Sequence, residues 1–307
     1  MAALVLSLAG CGRVPGLGAW PPFGTPAPTA TPTPSRSQAA SPSPAPSTSA
    51  APTPSVTRAA LTAPQAGQAV KEWVTKYNAL LKKRKWWTQD ARLDALFMEG
   101  ALHEAVLEGN HEAFGWKPGH KPINLTGALT VYLPRPEQQP PIGDWFIGQA
   151  TYKDTKGYAR PHVLAFFRTP GQPFRLAVST PIHWGQRMPK ARLDADGYVT
   201  DMDNTMAGAV AEEYQNFWNN EKKEGASGYR LARNSYSRKA FPAVNKGLYA
   251  RFAGRGSVFG FRTADGGSFF LFAMLNKPKG INQVLSEALL VPKGSKTIQE
   301  LGANWFS

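Results

Sequence analysis

Residues 257–275 read SVFGFRTADGGSFFLFAML, two phenylalanine-rich runs on either side of Ala264-Asp265-Gly266-Gly267. Short aromatic runs bounded by a glycine-rich break read as strands. An Asp-Gly pair between them is a hairpin signal, because glycine tolerates the backbone angles a tight turn needs. The same grammar recurs about a hundred residues earlier. WFIGQATY (145–152), HVLAFF (162–167) and FRLAVS (174–179) read as strands, with TPGQP (169–173) as the turn between the last two. Phe174, Leu176 and Val178 alternate there, with Arg175 and Ser179 expected to face outward, and Leu129, Val131 and Leu133 alternate in ALTVYL (128–133). FFRTPGQPF (166–174) and GFRTADGGSF (260–269) echo each other, through either internal duplication or shared hairpin grammar.

Each set of strands follows a helix. Val70, Trp73, Val74, Tyr77 and Leu81 fall on one face at helical spacing, and the helix is expected to end in the cations of KKRKWW (82–87). A second helix is expected to be capped by Thr88, to turn Leu93, Leu96, Phe97 and Leu102 inward and to close at Gly109. Met206, Val210, Tyr214, Phe217 and Trp218 mark a helix ending before Gly225. This alternation predicts an α+β fold of two tandem helix-plus-antiparallel-sheet modules, 66–200 and 201–307, each a cone or roll. By analogy they look like folds of the nuclear-transport-factor type. The apolar Trp305 and Phe306 at the end are expected to dock on this body, unless the reading frame is cut short there.

The N-terminal part has a different character. Residues 2–9, AALVLSLA, have the length of a signal-peptide apolar region and are too short to span a bilayer. Leu8, Ala9, Gly10 and Cys11 then resemble the lipobox of bacterial lipoproteins, in which the cysteine thiol takes a diacylglycerol after cleavage before it. That resemblance implies a signal peptide over 1–10 and a lipid anchor at Cys11, the only cysteine of the chain. No Lys or Arg precedes Cys11, so the start of translation is expected upstream of Met1. Residues 11–65 form a Pro/Ser/Thr/Ala-rich stalk, with 13 of the 27 prolines in the first 64 residues and no acidic residue before Glu72. Such a segment buries too little apolar surface to offset its ordering entropy and is expected to be disordered. Extended, roughly 50 residues at about 3.1 Å each reach at most ~150 Å.

Over residues 60–307 the chain also resembles an uncharacterised family of actinobacterial envelope lipoproteins, known as a domain of unknown function. LDADGYVT (193–200) and FRTADGG (261–267) carry the likeness, which implies no activity.

Familiar catalytic signatures are missing. There is no Gly-x-Ser-x-Gly and no Ser-x-x-Lys, and His103-Glu104 begins a zinc motif whose second histidine is replaced by Leu107. His103 and His111, beside Glu104 and Glu112, read as ordinary helix and loop histidines. RLDADGYVTDMD (192–203) imitates a calcium loop through Asp194, Asp196 and Asp203, but Arg192 stands where the first carboxylate belongs, so it reads as a turn. No metal or other cofactor is expected.

Charge supplies the strongest functional signal. The chain carries +14, and residues 225–307 hold 12 basic against 3 acidic residues. Arg230, Arg233, Arg238, Lys239, Lys246, Arg251, Arg255 and Arg262 accumulate between Glu224 and Asp265, interleaved with Tyr229, Tyr236, Phe241, Tyr249 and Phe252. Outside a membrane such a run faces acidic lipid headgroups or anionic wall polymers, and no nucleic-acid partner is expected. The expected role is non-catalytic binding or assembly at the envelope through the basic second module. A small-molecule binder using a concave sheet and an extracytoplasmic enzyme of unrecognised type are the alternatives.

Overall fold

A computed structural model of the chain describes residues 60–153, 158–219, 224–247, 251–276 and 283–307, with backbone alone for 243–247. The apolar segment 1–10, Cys11, the stalk through residue 59 and the Lys246 side chain lie outside the described residues. The described residues belong to one compact unit, and no helix among them is long and apolar enough to cross a membrane.

Helix α1 (Ala63–Leu81) starts from a reciprocal cap. The Thr62 hydroxyl accepts from the Gln65 N–H (3.4 Å) while the Gln65 side chain accepts from the Thr62 N–H (2.9 Å). Pro64 fits the first turn because its missing N–H would be unpaired there anyway. Val70, Trp73 and Tyr77 are buried on one face, as their spacing requires. The helix does not run into KKRKWW. It stops at Leu81, Lys85 takes a left-handed φ of 50°, and a 3-10 turn over Trp86–Thr88 buries Trp86.

One helix was expected from Thr88 to Gly109, and two are present: α2 (Asp90–Leu96) and α3 (Glu99–Ala113). The break has a tertiary cause. Phe97 and Met98 are extended, Phe97 bridges Leu176 in parallel, and the Met98 N–H donates to the Leu176 carbonyl at 2.9 Å. A strand thus captures two residues that local propensity would leave helical. Thr88 is not the cap, since its hydroxyl donates back to the Lys85 carbonyl (2.8 Å). Gly109 lies inside α3 beside the Trp87 ring, where a side chain would be crowded.

The first sheet is an antiparallel meander of β1 (Thr130–Tyr132), β2 (Asp144–Lys153), β3 (Ala159–Arg168) and β4 (Arg175–Pro181). After α4 (Asn204–Trp218), capped by the Asp203 carboxylate on the Met206 N–H, the second sheet forms. It contains β5 (Arg230–Leu231), β6 (Phe252–Arg255), β7 (Phe259–Arg262), β8 (Ser268–Asn276), β9 (Gln283–Val291) and β10 (Thr297–Phe306), with α5 (Tyr236–Gly247) between β5 and β6. The order is β5-β10-β9-β8-β6, and β7 also pairs with β8 through the expected hairpin, in which Arg262 faces Ser268 and Gly266 has φ 86°. All pairs are antiparallel except β5 with β10. The α+β class read from the sequence holds.

The layers stack helix, sheet, sheet, helix. On β3, Leu164 and Phe166 face α1–α3, while Val163, Ala165 and Phe167 face the second sheet. On β8, Phe269, Leu271 and Ala273 face the first sheet, and Phe270, Phe272 and Met274 face α4. With both faces covered, neither strand needs polar alternation, which is why FFLFAM has none. A register shift between Ala165 and Phe166 breaks the alternation expected on β4. Leu176 points to the helices and Val178 to the opposite sheet, both buried, and Ser179 is half-buried in place of facing out.

The second sheet curls. Phe252 on β6 and Trp305 on β10 bring their rings to 5.6 Å although β8 and β9 lie between them, and Trp218 of α4 meets both. Phe306 is buried in the inter-sheet core, so both terminal aromatics dock. Glu99, at φ 47°, clasps the halves together: its carboxylate accepts from the Ser257 N–H (2.9 Å) and hydroxyl (2.6 Å).

Helix α3 approaches the second sheet at Gly100, where an added methyl would overlap the Ala273 side chain. Gly100→Ala is therefore expected to destabilise the body by about 1–3 kcal/mol through overpacking. An unchanged urea midpoint would show that this contact is looser than described.

Candidate functional site

A cleft of about 590 Å³ opens between α1–α3 and the helix-facing side of the first sheet. That volume is within the roughly 300–1,000 Å³ typical of small-molecule sites. Its apolar wall comes from Trp73 and Tyr77 of α1, Phe97 and Ala101 beside the helix break, and Leu164 and Leu176 of β3 and β4. Trp73 and Tyr77 stack at 4.9 Å, and the Trp73 ring N–H donates to the Leu96 carbonyl at 2.7 Å, fixing both rings.

Into this wall α3 inserts two carboxylates. Ala101, Glu104, Ala105 and Glu108 are buried at i, i+3, i+4 and i+7, so both acids lie within the apolar stripe. Glu104 lines the cleft, accepting from the Ser286 hydroxyl (2.8 Å) and the Asn304 amide (3.3 Å). Burial dominates these bonds and pushes its carboxyl up to about 8.

Glu108 behaves oppositely. Burial would raise it, but the His120 ring and the backbone N–H groups of His120 and Gly119 outweigh that and hold it below the usual carboxylate range. His120 Nδ1 lies 2.6 Å from Glu108 Oε2, and the Gly119 N–H donates to Oε1 at 2.8 Å. An anionic Glu108 fixes the proton on Nδ1, and Nε2 has no hydrogen-bond partner among the described residues. The His120 ring itself lines the cleft. On the opposite wall Tyr152 stacks on His162 at 3.6 Å, and its buried hydroxyl, 3.4 Å from the Ser179 hydroxyl, is raised by that burial. The register puts them there: Ala150 faces His162, leaving Tyr152 diagonal to it on one face. Chemically the cleft offers apolar surface, several hydrogen-bond donors and a histidine ring nitrogen open to a ligand.

The residues singled out in the sequence lie elsewhere. Arg230, Arg233, Lys239, Arg251 and Arg255 are exposed. Arg230 on β5 and Arg255 on β6 sit at opposite ends of the strand order, and the Arg255 guanidinium donates to the Gly208 carbonyl at 3.1 Å. Arg238 is engaged internally, donating to the Leu231 and Ala232 carbonyls, pairing with Glu224 and lying 5.2 Å over the Phe217 ring. Arg262 pairs with Asp203 (3.6 Å). In the calcium-like loop, Arg135 holds both Asp194 and Asp196 at 2.6 Å, and Asp203 caps α4. His111 stacks on Phe306, and His103 lies in α3. Among the described residues no group of three or more His, Cys, Asp or Glu could hold a metal.

The sequence showed Glu104 as part of a broken zinc motif and as a neighbour of His103, and gave no site role to Glu108, His120, Tyr152 or His162. Two glutamates four apart within an alanine stripe were the available signal.

These features define a helix–sheet–sheet–helix α+β protein with a ligand-sized cleft under its first sheet. The chain belongs to the family described as "Domain of unknown function (DUF8094)", whose model matches residues 57–281 and so includes both LDADGYVT and FRTADGG. No curated protein and no solved structure matches it.

A raised carboxyl makes stability depend on pH. The folded state keeps the Glu104 proton up to about 8, whereas an unfolded glutamate releases it near 4.5. This contribution is full below 4.5 and is lost as pH rises through 8, at up to about 1.4 kcal/mol per pH unit between the two values. Glu99 and Glu287, both raised chiefly by burial, act with the same sign. Glu104→Gln is expected to flatten the fall in denaturation midpoint between pH 5.5 and 8; a slope equal to wild type would mean that Glu104 is ionised in the fold.

Proposed function

We propose that this protein is a lipid-anchored, extracytoplasmic binding protein that holds a small molecule in the cleft beneath its first sheet. Residues 1–10 act as the signal peptide, Cys11 carries the lipid on the outer face of the cytoplasmic membrane, and the Pro/Ser/Thr/Ala-rich stalk ahead of Leu61, the first core residue before α1, sets the body off from the bilayer. The observation that carries the binding reading is the cleft itself, with its aromatic wall and converging polar groups Glu104, His120, Asn304 and Ser179. Of the expectations drawn from sequence, the small-molecule binder is the one this cleft supports.

The exposed Arg230, Arg233, Lys239, Arg251 and Arg255 support a second role, in which the body rests against anionic lipid or wall polymer. Arg238 is assigned no part in it, because its donors are spent inside the fold.

Two measurements test the main reading. Cells fed a labelled fatty acid are expected to mark the wild type and not Cys11→Ala; equal labelling defeats the anchor. A thermal-shift screen of small metabolites is expected to yield ligands that stabilise the wild type by linkage and fail to stabilise Ser179→Phe, whose ring fills the cleft. Ligands that stabilise both equally bind outside the cleft.

A further inference from the structure

Among the described residues, those of fixed charge that line the cleft are basic apart from one glutamate. Lys121, Lys153 and Arg160 are among its lining residues, and the one carboxyl in the lining among the described residues, Glu104, is buried deeply enough to stay protonated at neutral pH. The nearby charge of Glu108 is spent on His120 and two backbone N–H groups. A cationic ligand would find no counter-ion among these groups, whereas an anion would find three.

Strand register gathers the cations at one end. In the β2–β3 hairpin Tyr152 pairs with Arg160 and Lys153 with Ala159, and Leu125 bridges Tyr152 from the other side, so the loop carrying Lys121 runs past the same end. The Tyr77 hydroxyl donates to the Lys121 carbonyl at 3.1 Å and ties that loop to α1. Arg160 is itself positioned: one guanidinium nitrogen donates to the Ile182 carbonyl (2.8 Å), the group lies 5.4 Å over the Trp184 ring, and its Nε has no acceptor among the described residues. Trp184 and Tyr158, 68% and 60% exposed respectively, meet edge to face at 6.2 Å beside it. Large aromatic rings left in water at the rim of a cleft give apolar surface to whatever enters.

We propose that the cleft takes a small amphipathic anion, its apolar body along Trp73, Phe97, Leu164 and Leu176 and its single carboxylate or phosphate group at Lys121, Lys153 and Arg160. This rests on the cleft being a ligand site and adds the chemistry of the ligand. The wall accommodates the body without asking for hydrogen bonds, and the cationic end selects the head by charge and by donors.

The test uses the full chain carrying Cys11→Ser, so that no attached lipid competes, with calorimetric titration of four ten-carbon probes below their aggregation concentrations. Decanoate and decyl phosphate differ in head group, decanol has no charge, and decyltrimethylammonium has the opposite one. At least one anionic probe is expected to bind about tenfold or more tighter than decanol, with decyltrimethylammonium weakest. The tighter of the two anions assigns the head group. Lys121→Gln/Lys153→Gln/Arg160→Gln is expected to bring the anions down to the affinity of decanol. The single exposed Lys153→Gln, which removes no side-chain bond seen among the described residues, is expected to show a smaller loss in the same direction. Ser179→Phe is expected to abolish binding. Decanol binding as tightly as the anions, and unaltered by the triple substitution, would overturn the anion assignment while leaving the cleft a small-molecule site. Anion binding that survives Ser179→Phe would also overturn it, by placing the anions on the outer surface. If none of the four probes binds, this proposal falls, and a metabolite that stabilises the wild type but not Ser179→Phe would still uphold the cleft as a site.

Discussion

The central strands of both sheets are buried on both faces, and most of the fold's other features follow from that. The inter-sheet core of Ile147, Val163, Ala165, Phe167, Phe269, Leu271 and Ala273 forms only if the two halves meet face to face. Each sheet then has one remaining face, and a helical layer covers it. At about 25 cal/mol per Å² of apolar surface, neither sheet can leave such a face in water without heavy loss. The outer helices are therefore needed by the sheets as much as the sheets are needed by them.

This double coverage creates the cleft. Helix α3 packs against β4 and also approaches the second sheet at Gly100 and through the Glu99–Ser257 clasp. Held at that end by two sheets, the helical layer leaves a cleft over its face of the first sheet. Partners from the second half finish the site: Ser286 and Asn304 bind Glu104, and the Phe306 ring lies 4.9 Å from His120. A cleft that looks like property of the first half is thus completed by the last two strands.

Polar groups under the helices follow one rule, that a buried charge is paired or neutralised. Glu108 is paired and Glu104 is neutralised, four residues apart on one helix. Under α4, Glu300 takes hydrogen bonds from Tyr214 (2.6 Å) and the Ser237 N–H (3.1 Å), while burial and the neighbouring Glu300 raise Glu287.

Much of the fold was legible locally. The α1 and α4 faces, the β2–β4 run and the β7–β8 hairpin could be read because apolar period and turn residues are nearest-neighbour properties of the chain. The break at Phe97-Met98 could not, because it depends on Leu176, far along the sequence. QVLSEALLV and TIQELGANWF became β9 and β10 despite leucine, alanine and glutamate that favour helix, since pairing with β8 outweighs propensity. Helix α5 was hidden inside what read as a basic run. By itself the sequence determined the α+β class, the tether-like composition of the N-terminal part and the excess of positive charge. Only the tertiary structure decided which cations are spent on carbonyls, which glutamates meet histidine or serine, and that a cleft exists, because those depend on residues brought together by sheet register and layer packing rather than by adjacency in the chain.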